Sequence, residues 1–187
     1  MYGIVVACNL HYPNMTKLTI AICGASKGDL SSATLMKVQK LGEMIAEKGH
    51  VVITGACGGF PQAAAEGAKS RGGMSIGVSP SNNWGEHTIV YPTVTQNLYD
   101  TIIYTGFGEG RNLILVRSAD ICIFVGGGSG TLMELTMAIK QNKRIAILKS
   151  ENGIENVLKE MLALSWDPIH PIIQENDPET LFFQLEL

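Results

Sequence analysis

Positive charge is scarce in this chain, and charge of either sign is thin. Of 187 residues 17% are charged, with 14 Lys and Arg against 17 Asp and Glu, for a formal net charge of −3. That balance offers no basic footprint to a nucleic-acid backbone and no polybasic patch to a membrane, so neither is an expected partner. Any anion-binding site has to be local. Long apolar runs are missing too: no stretch of 18 apolar residues occurs, so no membrane-spanning helix is expected. Cysteine is limited to Cys8, Cys23, Cys57 and Cys122, with no C-x-x-C pair. These read as small buried hydrophobes in a reducing cytoplasm. His11, His50, His87 and His170 are scattered, read as surface or loop residues, and offer no metal site.

What is present is a regular alternation. Continuous apolar, β-branched runs at Lys17–Cys23, His50–Thr54, Met74–Val78, Tyr99–Tyr104, Ile121–Val125 and Arg144–Leu148 read as strands. Helical spacing covers Leu30–Lys48, Pro61–Arg71, Gly110–Ala119, Thr131–Gln141, Ile154–Leu164 and Pro178–Leu187. Asn82–Val94 is polar, contains Trp84 and Pro92, and reads as a surface loop. Strands apolar on both faces, alternating with helices, predict a Rossmann-like α/β fold: a doubly wound, mostly parallel sheet with helices on both faces. The length suits one domain, and folding at this size buries roughly 70% of the unfolded surface, enough for a core without covalent staples. Residues 18–187 are expected to form that domain, and residues 1–17 an N-terminal arm or edge strand.

Several strands end in glycine-rich turns: Gly24-Ala25-Ser26, Gly55–Gly59 and Gly126–Gly130. In open parallel sheets ligands bind beyond the carboxyl ends of the strands. Glycine lets backbone approach a ligand, and the next helix aims free N–H groups at the turn. This makes a phosphate site that needs no basic side chain, in keeping with the acidic chain. None of the turns matches G-x-G-x-x-G or a P-loop, so neither NAD binding nor ATP hydrolysis is indicated by motif. The competing reading is that glycine merely tightens strand-to-helix turns.

Glu134 also has two readings. Thr131-Leu-Met-Glu134 before an apolar-periodic run is a capping box, in which Glu134 reaches back to the helix start. Alternatively Glu134 is a catalytic carboxylate. Arg111 and Asn112 open another helix after a glycine turn. An Arg at a helix start opposes the helix dipole, which fits a position facing an anion.

Taken together, G-R-N at 110–112, then L-V-R-S-A-D, an apolar strand and G-G-G-S-G-T-L-M-E resemble the Lonely Guy family of phosphoribohydrolases, long mislabelled lysine decarboxylases. That family's signature is P-G-G-x-G-T-x-x-E with an upstream Arg-Lys; Gly127, Gly128, Gly130, Thr131 and Glu134 match it. Arg111 precedes Glu134 by 23 residues, the family separation. The likeness spans about residues 18–148. Two positions depart: Gly126 stands for Pro and Asn112 for Lys. Both resemble a sister branch of nucleotide-binding Rossmann-like proteins that is also similar to molybdenum cofactor carriers.

The resemblance implies a nucleoside 5′-monophosphate phosphoribohydrolase that releases the base and ribose 5-phosphate. Arg111 and Glu134 would be catalytic. Gly24, Ala25, Ser26, Gly58, Gly59, Asn112, Gly127, Gly128, Ser129, Gly130 and Thr131 would bind phosphate and nucleotide. The alternative is a non-catalytic carrier or sensor of a phosphorylated nucleotide or a molybdenum-pterin cofactor. No further cofactor is implied. Decarboxylation is not, since Lys27 is the only lysine in a glycine turn. The partner is then a small phosphorylated molecule, chosen in part by Trp84 or Asn97. A homodimer or higher assembly in the cytoplasm would pack through Leu113, Leu115, Val116, Leu132, Met133 and Met137.

Overall fold

Strand-forming sequence and helix-forming sequence alternate in space as they do along the chain. The computed structural model describes residues 17–151, 153–164 and 170–187. The arm expected over 1–17 therefore lies, but for Lys17, outside the described residues, with Cys8 and His11. Seven strands form one sheet in the order β4-β3-β2-β1-β5-β6-β7. They are β1 Thr19–Gly24, β2 Val51–Thr54, β3 Met74–Ser79, β4 Thr101–Tyr104, β5 Ile121–Val125, β6 Arg144–Leu148 and β7 Ile173–Glu175. Every pairing is parallel. The helices are α1 Ser32–Glu47, α2 Phe60–Ser70, α3 Trp84–Val90, α4 Arg111–Ser118, α5 Ser129–Lys140, α6 Glu155–Leu162 and α7 Pro178–Gln184.

The central strands are buried on both faces because each face has its own helical cover. Ile20, Ile22, Val52, Ile121 and Ile123 point to one side, under α1, α2 and α7. Ala21, Cys23, Ile53, Cys122 and Phe124 point to the other, under α4, α5 and α6. On α1 the buried positions Thr34, Val38, Leu41 and Ile45 make a single stripe at helical spacing. Two elements depart from the sequence reading. The polar loop over 82–94 contains α3, whose cap Asn83 accepts a hydrogen bond from the Glu86 N–H at 3.0 Å. Glu86 in turn accepts from the Asn82 N–H at 3.0 Å. This local capping replaces the apolar periodicity that seven residues are too few to show. The three-residue strand β7 was likewise invisible; it exists because β6 offers it an open edge.

The chain leaves β1 toward β2 on one side and reaches β5 on the other. The carboxyl ends of β1 and β5 therefore flank the point where strand order reverses, where parallel sheets leave a crevice.

Candidate functional site

Three turns meet at that crevice because their glycines let backbone touch backbone. A side chain at Gly24 would overlap the Val125 carbonyl, and one at Gly59 would lie 2.8 Å from the Ser26 Cα. The Ala25 carbonyl accepts from the Phe60 N–H at 3.0 Å, joining the first turn to the second. The result is a cavity of about 860 Å³. Of the thirteen site residues read from sequence, all but Gly59 line it. Gly59 lies beneath, as the contact between turns.

The turn after β5 opens directly into α5, whose cap is Gly128 and not Thr131. The first helical bond runs from the Leu132 N–H to the Gly128 carbonyl at 3.0 Å. The N–H groups of Ser129, Gly130 and Thr131 thus have no acceptor within the helix. No acidic residue occupies the first turn of α5. The positions where Gly128 and Gly130 would carry side chains are open space. Gly126 has φ +60°, a value proline cannot reach, so the departure from the Lonely Guy signature proline belongs to this turn's own path.

Because α5 begins three residues earlier than the capping-box spacing implied, the capping-box reading of Thr131 and Glu134 fails. Glu134 faces inward instead. Its Oε1 accepts a hydrogen bond from Arg111 Nη1 at 3.1 Å, and the two residues are 6% and 7% exposed. Burial raises the Glu134 carboxyl above its ordinary range, with Arg111 opposing the shift. Arg111 heads α4 yet lies flat against the turn after β2: a side chain at Gly55 would sit 2.6 Å from its Cζ. Sequence reading missed Gly55, since composition marks it as one more turn glycine and only crowding reveals its role.

Asn112 is 1% exposed. Its Nδ2 donates to Met133 Sδ at 3.7 Å, and its Oδ1 has no partner. The thiols of Cys23 and Cys57 also line the cavity. Burial pushes Cys57 up to about 11 and Cys23 well upward, so both are neutral, as small apolar groups are. Cys122, in β5, is raised to about 12 by the same cause. Among the described residues no group of three or more His, Cys, Asp and Glu is placed to hold a metal ion.

The residues of the 82–97 segment that line the cavity are Val90, Tyr91, Pro92 and Thr93, not Trp84 or Asn97. Trp84 stacks on His87 with centroids 5.5 Å apart, and Asn97 is exposed. His87 corrects the reading of every His as surface or loop. It is buried, with Nδ1 2.9 Å from the Ser79 hydroxyl and Nε2 without a partner. His50 is half-buried, and His170 is exposed. The apolar stripe divides: Leu115 and Val116 are buried against the sheet, while Leu113, Leu132 and Met133 remain 48%, 38% and 42% exposed. No described helix is long and apolar enough to cross a membrane.

The fold has counterparts among solved structures. The molybdenum cofactor binding protein of Rippkaea orientalis is 29% identical, with a TM-score of 0.75 over 92% of this chain and 98% of that one. The molybdenum cofactor carrier protein of Chlamydomonas reinhardtii is 27% identical, with a TM-score of 0.74 over 91% and 96%. An uncharacterized protein of Archaeoglobus fulgidus is 38% identical over 143 residues, 76% of this chain and 87% of its own. The SLOG cluster4 family model matches residues 17–182, from the first strand to the last helix and across every turn of the crevice, and the chain belongs to that family.

Proposed function

We propose that the protein is a carrier of a phosphorylated, nucleotide-type ligand, with a molybdenum-pterin cofactor as the favoured cargo. One observation carries this reading: the twelve-residue helix α5 presents free N–H groups, unscreened by side chains, to a cavity of about 860 Å³. A phosphate there accepts hydrogen bonds from backbone and is favoured by the helix dipole. The functions of the two solved relatives, a molybdenum cofactor binding protein and a molybdenum cofactor carrier, support the choice of cargo. Asn112, buried beside this phosphate turn, replaces the family lysine with a neutral group. Tyr91, Val90 and Pro92 supply the apolar wall that a flat ring system packs against.

A second reading rests on the buried Arg111–Glu134 pair. In a hydrolase, water would bond to C1′ of a nucleoside monophosphate as the bond from C1′ to the base breaks. The proton lost by water goes to the departing base. Glu134 would stabilise the positive sugar centre, and Arg111 would hold the carboxylate in place. Both readings include a homodimer or higher assembly, because Leu113 on α4 and Leu132 and Met133 on α5 are exposed apolar side chains.

Purified protein is to be assayed for bound molybdenum and for pterin fluorescence after oxidation, and incubated with AMP, GMP, UMP and CMP while free base is followed by chromatography. Bound molybdenum and pterin without base release is the expected result. Base release by the wild type and not by Glu134→Gln would replace the carrier with the hydrolase. Neither cargo nor base release would overturn both.

A further inference from the structure

A second cavity, of about 250 Å³, lies across the Gly126–Gly127 turn from the first. Ala25, Lys27 and Gly127 line both, so a molecule seated on the phosphate turn needs only to extend past Gly127 to enter it. One wall is the start of α1. Its cap Ser31 makes no side-chain capping bond, and no acidic residue stands in its first turn. The first helical bond runs from the Leu35 N–H to the Ser31 carbonyl at 3.0 Å, which leaves the N–H groups of Ser32, Ala33 and Thr34 without helical acceptors.

The side chains here are unpartnered as well. Thr34 lines the cavity, is only 7% exposed, and its hydroxyl makes no hydrogen bond among the described residues. Ser150, opposite, has a buried hydroxyl without a partner, although its N–H donates to Glu155 Oε1 at 2.9 Å. A buried hydroxyl left unpaired carries a desolvation cost that a ligand relieves. The rim bears Lys27, Asp29 and Glu151, all exposed.

We propose that this cavity is a subsite for a hydroxyl-rich group, such as a sugar ring, joined to the ligand through its phosphate. The inference rests on the reading that phosphate occupies the Gly127–Thr131 turn. Charge decides the class of group. A second phosphate only accepts hydrogen bonds and would meet two carboxylates with a single lysine against them. Ligand hydroxyls do both: they accept from the α1 N–H groups and Lys27, and donate to Asp29 and Glu151. Thr34, able to donate and accept, fits the same partner.

The test is a calorimetric titration of the full chain with AMP, GMP, UMP and CMP, with ADP, GDP, UDP and CDP, and with the four corresponding nucleoside diphosphate glucoses. For the base that binds, the glucose conjugate is expected to bind about tenfold more tightly than the nucleoside diphosphate. Thr34→Val should remove most of that gain while monophosphate affinity stays within about twofold. The Asp29→Asn, Glu151→Gln double variant, confined to the exposed rim, should do the same and should raise affinity for the diphosphate. Monophosphate binding with no gain from glucose overturns the subsite alone. A gain untouched by both variants also overturns it. Failure of every monophosphate, diphosphate and conjugate to bind overturns the subsite, and the phosphate reading beneath it then stands or falls by the molybdenum and pterin assay.

Discussion

The two helical layers treat the same sheet in opposite ways. On one face α1 and α2 are pressed together until backbone meets backbone. A side chain at Gly42 would overlap the Ala64 carbonyl, and one at Gly67 would overlap the Gln39 carbonyl. On the other face α4 and α5 keep a charged pair between them and leave Leu113, Leu132 and Met133 in contact with solvent. The first layer is closed and apolar where its helices meet, and it keeps groups able to bind only at the start of α1. The second holds polar groups that an apolar core would exclude, and it borders the cavity. Close packing is where stability resides in this protein, and the polar pair is where chemistry resides. A buried ion pair is weak evidence of stability but a demanding structure to maintain once one partner is lost.

The comparison is broken most directly by filling the closed layer. Gly67→Val should destabilise the fold by about 4 kcal/mol, since neither helix backbone can retreat without reopening the core. Urea unfolding would measure it, and a change below about 1 kcal/mol would mean the helices are less tightly apposed than they are here. Next in size is the open layer's own weak point. Arg111→Met should cost about 3 kcal/mol by leaving Glu134 buried without its cation. The double variant Arg111→Met, Glu134→Leu should recover most of that loss, which separates the pair's structural cost from its role in binding.

Gly55→Ala sharpens the contrast at one atom. The added methyl displaces the guanidinium from its bed and should weaken binding of the phosphorylated ligand about tenfold with a stability change of about 1 kcal/mol. Titration and melting of the same sample would show whether ligand and fold respond separately. Smaller still is Leu132→Glu, at an exposed position. Its monomer stability should shift by no more than about 0.5 kcal/mol, while sedimentation should report a smaller assembly if this face is the contact between copies.

The last effect is one of slope. Burial holds the His87 imidazole below its ordinary value of 6.5, so the folded chain binds fewer protons there than the unfolded chain. The stability this gives is complete above that ordinary value and is lost as pH falls from 6.5 toward the folded value. His50 is lowered too, by burial and then Lys48, and acts in the same direction. Melting curves between pH 7 and pH 5 should therefore fall less steeply for His87→Asn than for the wild type, whatever its starting stability.

Sequence alone determined the alternation of strands and helices, because continuous β-branched runs and 3.6-residue periodicity are local signals repeated along the chain. It also determined the glycine turns and the Arg111–Glu134 spacing, since a shared motif is a one-dimensional property. Short elements escaped it. In α3 four hydrogen bonds among Asn82, Asn83 and Glu86 hold the helix start, and β7 depends on an edge supplied by a strand more than 20 residues earlier. The site's assignments were decided only in three dimensions. Thr131 and Glu134 have the spacing of a capping box, and nothing local forbids one. What overrides it is the start of α5 at Ser129, which turns Glu134 into the crevice, where the guanidinium from another helix is held 3.1 Å away by the bare backbone of Gly55. That contact joins residues from three separate turns, and its energy depends on burial that no stretch of sequence carries by itself.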